Sequence, residues 1–148
     1  MNRRTLVIVV VVAAGAIFAS RMSVHIGRTA EDKEATQQAI EQFHDRLGMG
    51  DFDRIYDDSD VALRITASRE TLIAAMRETK GHWGKPMRVT YSYLRVLTDR
   101  APVEVRVVYN TTFEKGDATE MFTFVRRGSK LKLAYYNISP GTSRPNSR

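Results

Sequence analysis

At Met87 the spacing of apolar residues changes period, and that change dictates most of what the chain can become. Before it they recur every three or four residues; after it they alternate. In EDKEATQQAIEQFHDRLGMG, Thr36, Ile40, Phe43 and Leu47 fall at helical spacings, with acids at the start and Gly48 and Gly50 at the exit. This predicts one amphipathic helix with a glycine stop. DFDRIYDD predicts a second, shorter helix, capped by Asp51, with Phe52, Ile55 and Tyr56 on one face. In SRETLIAAMRETKGHWGKP, Ser68 supplies a cap, Leu72, Met76, Thr79 and Trp83 form a stripe, and Gly84 followed by Pro86 ends the helix.

Beyond that point the pattern is that of strands with one apolar face each. Met87, Val89, Tyr91 and Tyr93 alternate with Arg88, Thr90 and Ser92, and Val103, Val105, Val107, Tyr109, Thr111 and Phe113 with polar neighbours. Glu120, Phe122, Phe124 and Arg126 share a face of a third strand, and Leu131, Leu133 and Tyr135 a face of a fourth. TDRAP joins the first pair, while EKGD and RRGSK are tight turns with Gly where a positive φ is wanted. Helices followed by an antiparallel meander predict an α+β fold, with N-terminal helices packed on a curved four-stranded sheet. Val108, Met121, Thr123 and Val125 fall on the opposite, open face, where they are expected to be exposed and to suit a homodimer pairing through the sheet.

The N-terminus carries a different signal. Arg3 and Arg4 precede an uncharged, largely apolar run from Thr5 to Ser20, which Arg21 ends. Its length sits at the short edge of the roughly 17–25 residues that span a bilayer and within the pattern of an export signal. Residues 1–21 are read as an uncleaved anchor, so that residues 5–20 contact an inner or plasma membrane and the following domain lies on the extracytoplasmic, periplasmic side. Cleavage at Ala14-Gly15-Ala16, giving a secreted protein, is the alternative. Residues 22–30 are then a stalk, 31–139 the folded domain, and 140–148, PGTSRPNSR, a disordered tail.

Charge excludes one class of partner. The net +6 of the chain is accounted for by Arg3, Arg4, Arg21, Arg28, Arg144 and Arg148, which leaves residues 29–139 neutral. The basic balance belongs to the termini, and nucleic acid is not an expected partner. With no Cys, disulfides, thiol catalysis and thiolate metal sites are excluded as well.

FHDRLGMGDFDRIYDD, SRETLIAAMRETKGHWGK, YNTTFEKGDATEMFTF and YYNIS, in that order, resemble the landmarks of small, uncharacterised bacterial extracytoplasmic domains of the nuclear transport factor 2-like superfamily. The resemblance covers about residues 31–139 and implies a cone of helices laid into a curved sheet. It implies almost nothing about activity, because that fold hosts enzymes, binding modules and accessory domains alike.

Enzymes on such a cone place an acid or base and a Tyr inside it. Among the candidates, Glu104 lies opposite Val103 and Val105, and His44 and Asp45 flank Phe43, so all three are expected off the buried faces. No catalytic set is therefore assigned. His25, His44 and His82 are scattered without ligand spacing, DFDRIYDDSD lacks the pattern of a calcium loop, and neither a metal nor a cofactor is expected. Asn110 and Asn137, although in sequons, are read as strand-end hydrogen-bonding residues. The aromatic residues Tyr56, Trp83, Tyr91 and Tyr109 are the candidate ligand-binding groups of the cone interior. The expectation is a non-enzymatic domain that binds a small ligand or a protein partner, with an isomerase or dehydratase, or a structural homodimer, as alternatives.

Overall fold

The computed structural model describes residues 29–97 and 101–141, in which four helices precede a four-stranded sheet. Helices α1 (Thr29–Met49), α2 (Phe52–Asp58), α3 (Val61–Thr66) and α4 (Arg69–Trp83) lead into β1 (Pro86–Leu97), β2 (Glu104–Phe113), β3 (Gly116–Arg127) and β4 (Lys130–Pro140). The strands pair antiparallel in the order β1-β2-β3-β4, an open meander with β1 and β4 at its edges. The segments read as anchor and tail lie, but for Pro140 and Gly141, outside the described residues; the stretch read as stalk does so up to Arg28, for α1 begins at Thr29.

The predicted stripes form the core. Ile40, Phe43 and Leu47 of α1, with Leu72, Met76 and Trp83 of α4, bury against Val105, Val107, Phe122, Phe124 and Ile138 of the sheet. At roughly 1.5–3 kcal/mol for each large apolar side chain removed from water, this packing dominates the stability. Among the described residues every core side chain lies between Ile40 and Ile138.

Helix ends follow local chemistry. The Ser68 hydroxyl accepts from the Thr71 N–H at 3.2 Å, and Gly84, at φ +79°, ends α4. Asp51 occupies the N-cap of α2 but makes no capping bond; its carboxylate pairs instead with Arg54 at 3.4 Å. Helix α3 is an addition to the three helices expected. Its N-cap Asp60 accepts from Ala62 N at 2.9 Å and takes a two-pronged bond from Arg127 of β3, at 2.8 and 3.1 Å. The Asp60 N–H donates to the Leu133 carbonyl, so this single buried residue ties α3 to two strands.

Two irregularities redirect side chains and correct the expected faces. On β4 the register slips between Thr123 and Phe124: Tyr135 pairs with Thr123, and Leu133 with Phe124. The extra residue, Ala134, turns Tyr136 and Ile138 inward and Tyr135 outward, where strict alternation would have kept Tyr135 with Leu133. On β1, Val89 and Tyr91 pair with Thr111 and Tyr109 on the inner face, then a bulge carries Tyr93 to Val108 on the outer face. Met87, Val89, Tyr91 and Tyr93 of this edge strand are all exposed. On the outer face Met121 is exposed and Val108 half-buried, but Thr123 and Val125 are buried, contrary to expectation.

Candidate functional site

The interior holds a carboxylate. Alternation on β3 points Glu120 inward with Phe122 and Phe124, and its relative exposure is 0%. Three donors converge on it from three elements. The Tyr136 hydroxyl of β4 donates to Oε1 at 2.7 Å, the Thr111 hydroxyl of β2 to Oε2 at 2.5 Å, and His44 Nε2 of α1 lies 2.8 Å from Oε2. His44 Nδ1 is buried with no hydrogen-bond partner among the described residues. With a proton on Nε2 the ring donates to Glu120. Burial, reinforced by the neighbouring Glu120, holds the Tyr136 hydroxyl well above its ordinary pKa and keeps it a donor.

This cluster corrects the expectation that no acid or base faces inward. His44 lies on the α1 stripe rather than beside it: positions 40, 43, 44 and 47 form the i, i+3, i+4, i+7 pattern of a single buried face. That signal was present in the sequence, as was Glu120 on the face of Phe122 and Phe124. Tyr136 was hidden, because nothing in the alternation announces the slip at Ala134. Asp45 is exposed and Glu104 pairs with Arg106 at 3.2 Å, both off the core as expected.

The four aromatic candidates do not gather around one cavity. Tyr91 and Tyr109 form a cross-strand pair with ring centres 5.9 Å apart, and Lys33 of α1 sits 5.0 Å over the Tyr91 ring. Trp83 packs on Phe113 at the end of α4, where its carbonyl accepts from Lys115 N in the β2–β3 turn. Tyr56 lies on α2 under the guanidinium of Arg69, 4.9 Å from its ring. Core filling accounts for Trp83 and Tyr109; Tyr91 is 42% exposed at the sheet edge. Asn110 and Asn137 sit within β2 and β4 rather than at strand ends, and Asn110 Oδ1 accepts from Thr119 at 3.2 Å.

An open groove of about 430 Å3 lies between α1, α2 and the start of β4. Ala35, Ala39 and Phe43 line it from α1, Ile55 from α2, and Phe124 and Leu133 from the sheet. Arg46, Asp58, Lys130 and Lys132 add charge, and Gln38 and Gln42 add amides. Arg46 is joined to Asp58 at 2.6 Å. Phe43 separates the groove from the cluster, its ring 4.8 Å from Tyr136 and 5.8 Å from His44. A ligand in the groove would thus lie one aromatic ring from Glu120 without touching it. Among the described residues no group of His, Asp and Glu is arranged to hold a metal ion, and no helix is long and apolar enough to cross a membrane.

No protein-family model and no curated protein matches the chain. Among solved structures it is similar to Bd1075 of Bdellovibrio bacteriovorus, at 10% identity and a TM-score of 0.50. The match covers 76% of this chain and 41% of that one, so the chain spans less than half the length of its structural relative. At that identity the likeness concerns fold alone.

Proposed function

We propose that the chain is a membrane-anchored, extracytoplasmic binding domain of the nuclear transport factor 2-like kind, and that its ligand lies in the groove between α1, α2 and the start of β4. One observation carries binding over catalysis: the inward carboxylate is sealed and fully engaged by three donors, while the accessible cavity opens elsewhere. The apolar run of residues 5–20 between arginines supports the anchor. The test expresses the full chain in a bacterial host, isolates it from the membrane fraction, and identifies by mass spectrometry any small molecule released on denaturation. Gln42→Trp, on the exposed side of α1, should fill the groove and abolish copurification. Retention of the molecule by that variant would refute the site, and recovery from the soluble cytoplasmic fraction would refute the anchor.

A second reading, an isomerase or dehydratase, is favoured by the presence of Glu120, His44 and Tyr136 in one cluster. It requires Phe43 to move aside and Glu120 to release donors. Incubating the protein with enolisable carbonyl compounds in D2O reads it directly: Glu120-dependent deuterium uptake would support it, and uptake unchanged by Glu120→Gln would exclude it. The homodimer rests on the row Tyr93, Val108 and Met121, which the register aligns across the outer face.

A further inference from the structure

We infer that the groove takes a lipid-like amphiphile with an anionic headgroup, an inference that rests on the groove being the binding site. Two features point to this class. Ala39, Phe43, Ile55, Phe124 and Leu133 give the groove an apolar floor, edged by Gln38, Gln42, Ser59 and Ser129, and its volume of about 430 Å3 lies within the roughly 300–1,000 Å3 of small-molecule sites. Charge is concentrated at the β4 side. Asp58 is the only acid in the lining and is already joined to Arg46. Among the described residues Lys130 and Lys132 make no ion pair, and the Lys132 ammonium reaches only the Asp58 carbonyl, at 3.4 Å. Two ammonium groups are left to receive a carboxylate or phosphate, while an acyl chain displaces water from the apolar lining.

The position of the groove suits a bilayer source. Asp32, in the first turn of α1, pairs with Arg126 at the end of β3, so the helix start lies beside the β3–β4 turn that carries Lys130. Lys130 is therefore at the end of the domain where residues 1–28 join, while the Lys132 ammonium reaches along the groove to Asp58, beside Arg46. With residues 1–28 in a membrane, Lys130 would stand nearer the headgroups.

The experiment titrates the purified full chain with dodecanoate and with uncharged dodecyl maltoside, each below its micelle-forming concentration. Binding is read by calorimetry and by amide NMR shifts at Ala35, Ala39 and residues 129–133. Dodecanoate should shift those amides and leave Tyr91 unmoved. It should bind at least about tenfold more tightly than the maltoside, and Lys130→Glu with Lys132→Glu should remove that preference. Flotation with phosphatidylglycerol against phosphatidylcholine vesicles separates the sources: recruitment by the anionic vesicles identifies a bilayer lipid, and dodecanoate binding without it a free fatty acid. Equal binding of the two detergents would overturn the anionic class while leaving the groove a binding site. Shifts absent from the groove with both amphiphiles would overturn the inference outright, and a different molecule copurifying with the full chain would still uphold the groove.

Discussion

Exchanging Glu120 for glutamine tests whether the interior cluster is a structural clasp or a reserve of chemistry. In the native arrangement the carboxylate only accepts: from Tyr136 on Oε1, and from His44 and Thr111 on Oε2. Glutamine keeps the shape and one acceptor oxygen but introduces an NH2 group. Toward Oε2 that group would oppose two donors. Toward Oε1 it opposes one, and the Tyr136 hydroxyl must turn to accept, which strands its own proton in a fully buried site. The second arrangement costs less, one orphaned buried donor at about 1–3 kcal/mol plus the weakening of two charge-assisted bonds, about 2–4 kcal/mol altogether. That is a large share of the roughly 5–15 kcal/mol that holds a domain folded. Tyr136→Phe should cost about 1–3 kcal/mol, and because the two changes share a bond, the double variant should fall short of their sum by about 1 kcal/mol or more. Urea unfolding followed by far-ultraviolet circular dichroism measures all three. A Glu120→Gln variant within about 0.5 kcal/mol of the parent would refute the clasp. A more stable variant would refute it more pointedly, since a group whose removal stabilises is one retained for function.

Other outcomes follow from single contacts. Gly84→Ala should lower the melting temperature by several degrees, because a Cβ there would sit 2.6 Å from Glu114 Oε2 on a backbone at φ +79°; an unchanged melting temperature would contradict that geometry. The Arg127 guanidinium holds the Asp60 carboxyl below its ordinary pKa. Its folded pKa being lower than the unfolded one, Asp60 stabilises the protein above about pH 4 and loses that contribution as pH falls through the folded value. Asp60→Asn should therefore lower stability near pH 7 by about 1 kcal/mol and flatten the acid limb of the stability profile; parallel profiles for parent and variant would contradict this. If the outer face pairs two copies, Met121→Glu should dissociate the dimer in sedimentation equilibrium, and a monomeric parent at high concentration would dispose of the pairing.

Much of the architecture was legible because long segments kept one period. The α1 and α4 stripes, the glycine exits and the β2–β3 register all follow from spacing and turn chemistry. What escaped was local. Helix α3 is six residues long and buries Leu63 alone, too little for a periodic signal, and it depends on Asp60 meeting Arg127 from far along the chain. The cluster was half legible: Glu120 and His44 obey their patterns, but a charged residue on an apolar face reads as an exception until its donors are known. Tyr136 was not legible, because a bulge is decided by how two strands fit rather than by either sequence. The aromatic candidates lie apart for a related reason. Sharing a residue type does not bring Tyr56, Trp83, Tyr91 and Tyr109 to one place when each has a separate neighbour to pack against.

The bulge on β1 also bears on solubility. Among the described residues no strand pairs with the outer edge of β1, which carries four exposed apolar side chains, the usual template for strand-by-strand accretion. Between Tyr91 and Tyr93 the bulge breaks the ladder and sends those two rings to opposite sides of the sheet. An incoming strand in regular register could zip along only one half of the edge, and it would bury Val89 and Tyr91 or Tyr93, never all three. Arg88 and Arg95 bracket that stretch with like charge, opposing a second copy laid alongside. Removing the irregularity, for example by deleting Ser92, would straighten the edge into a continuous seed for fibres.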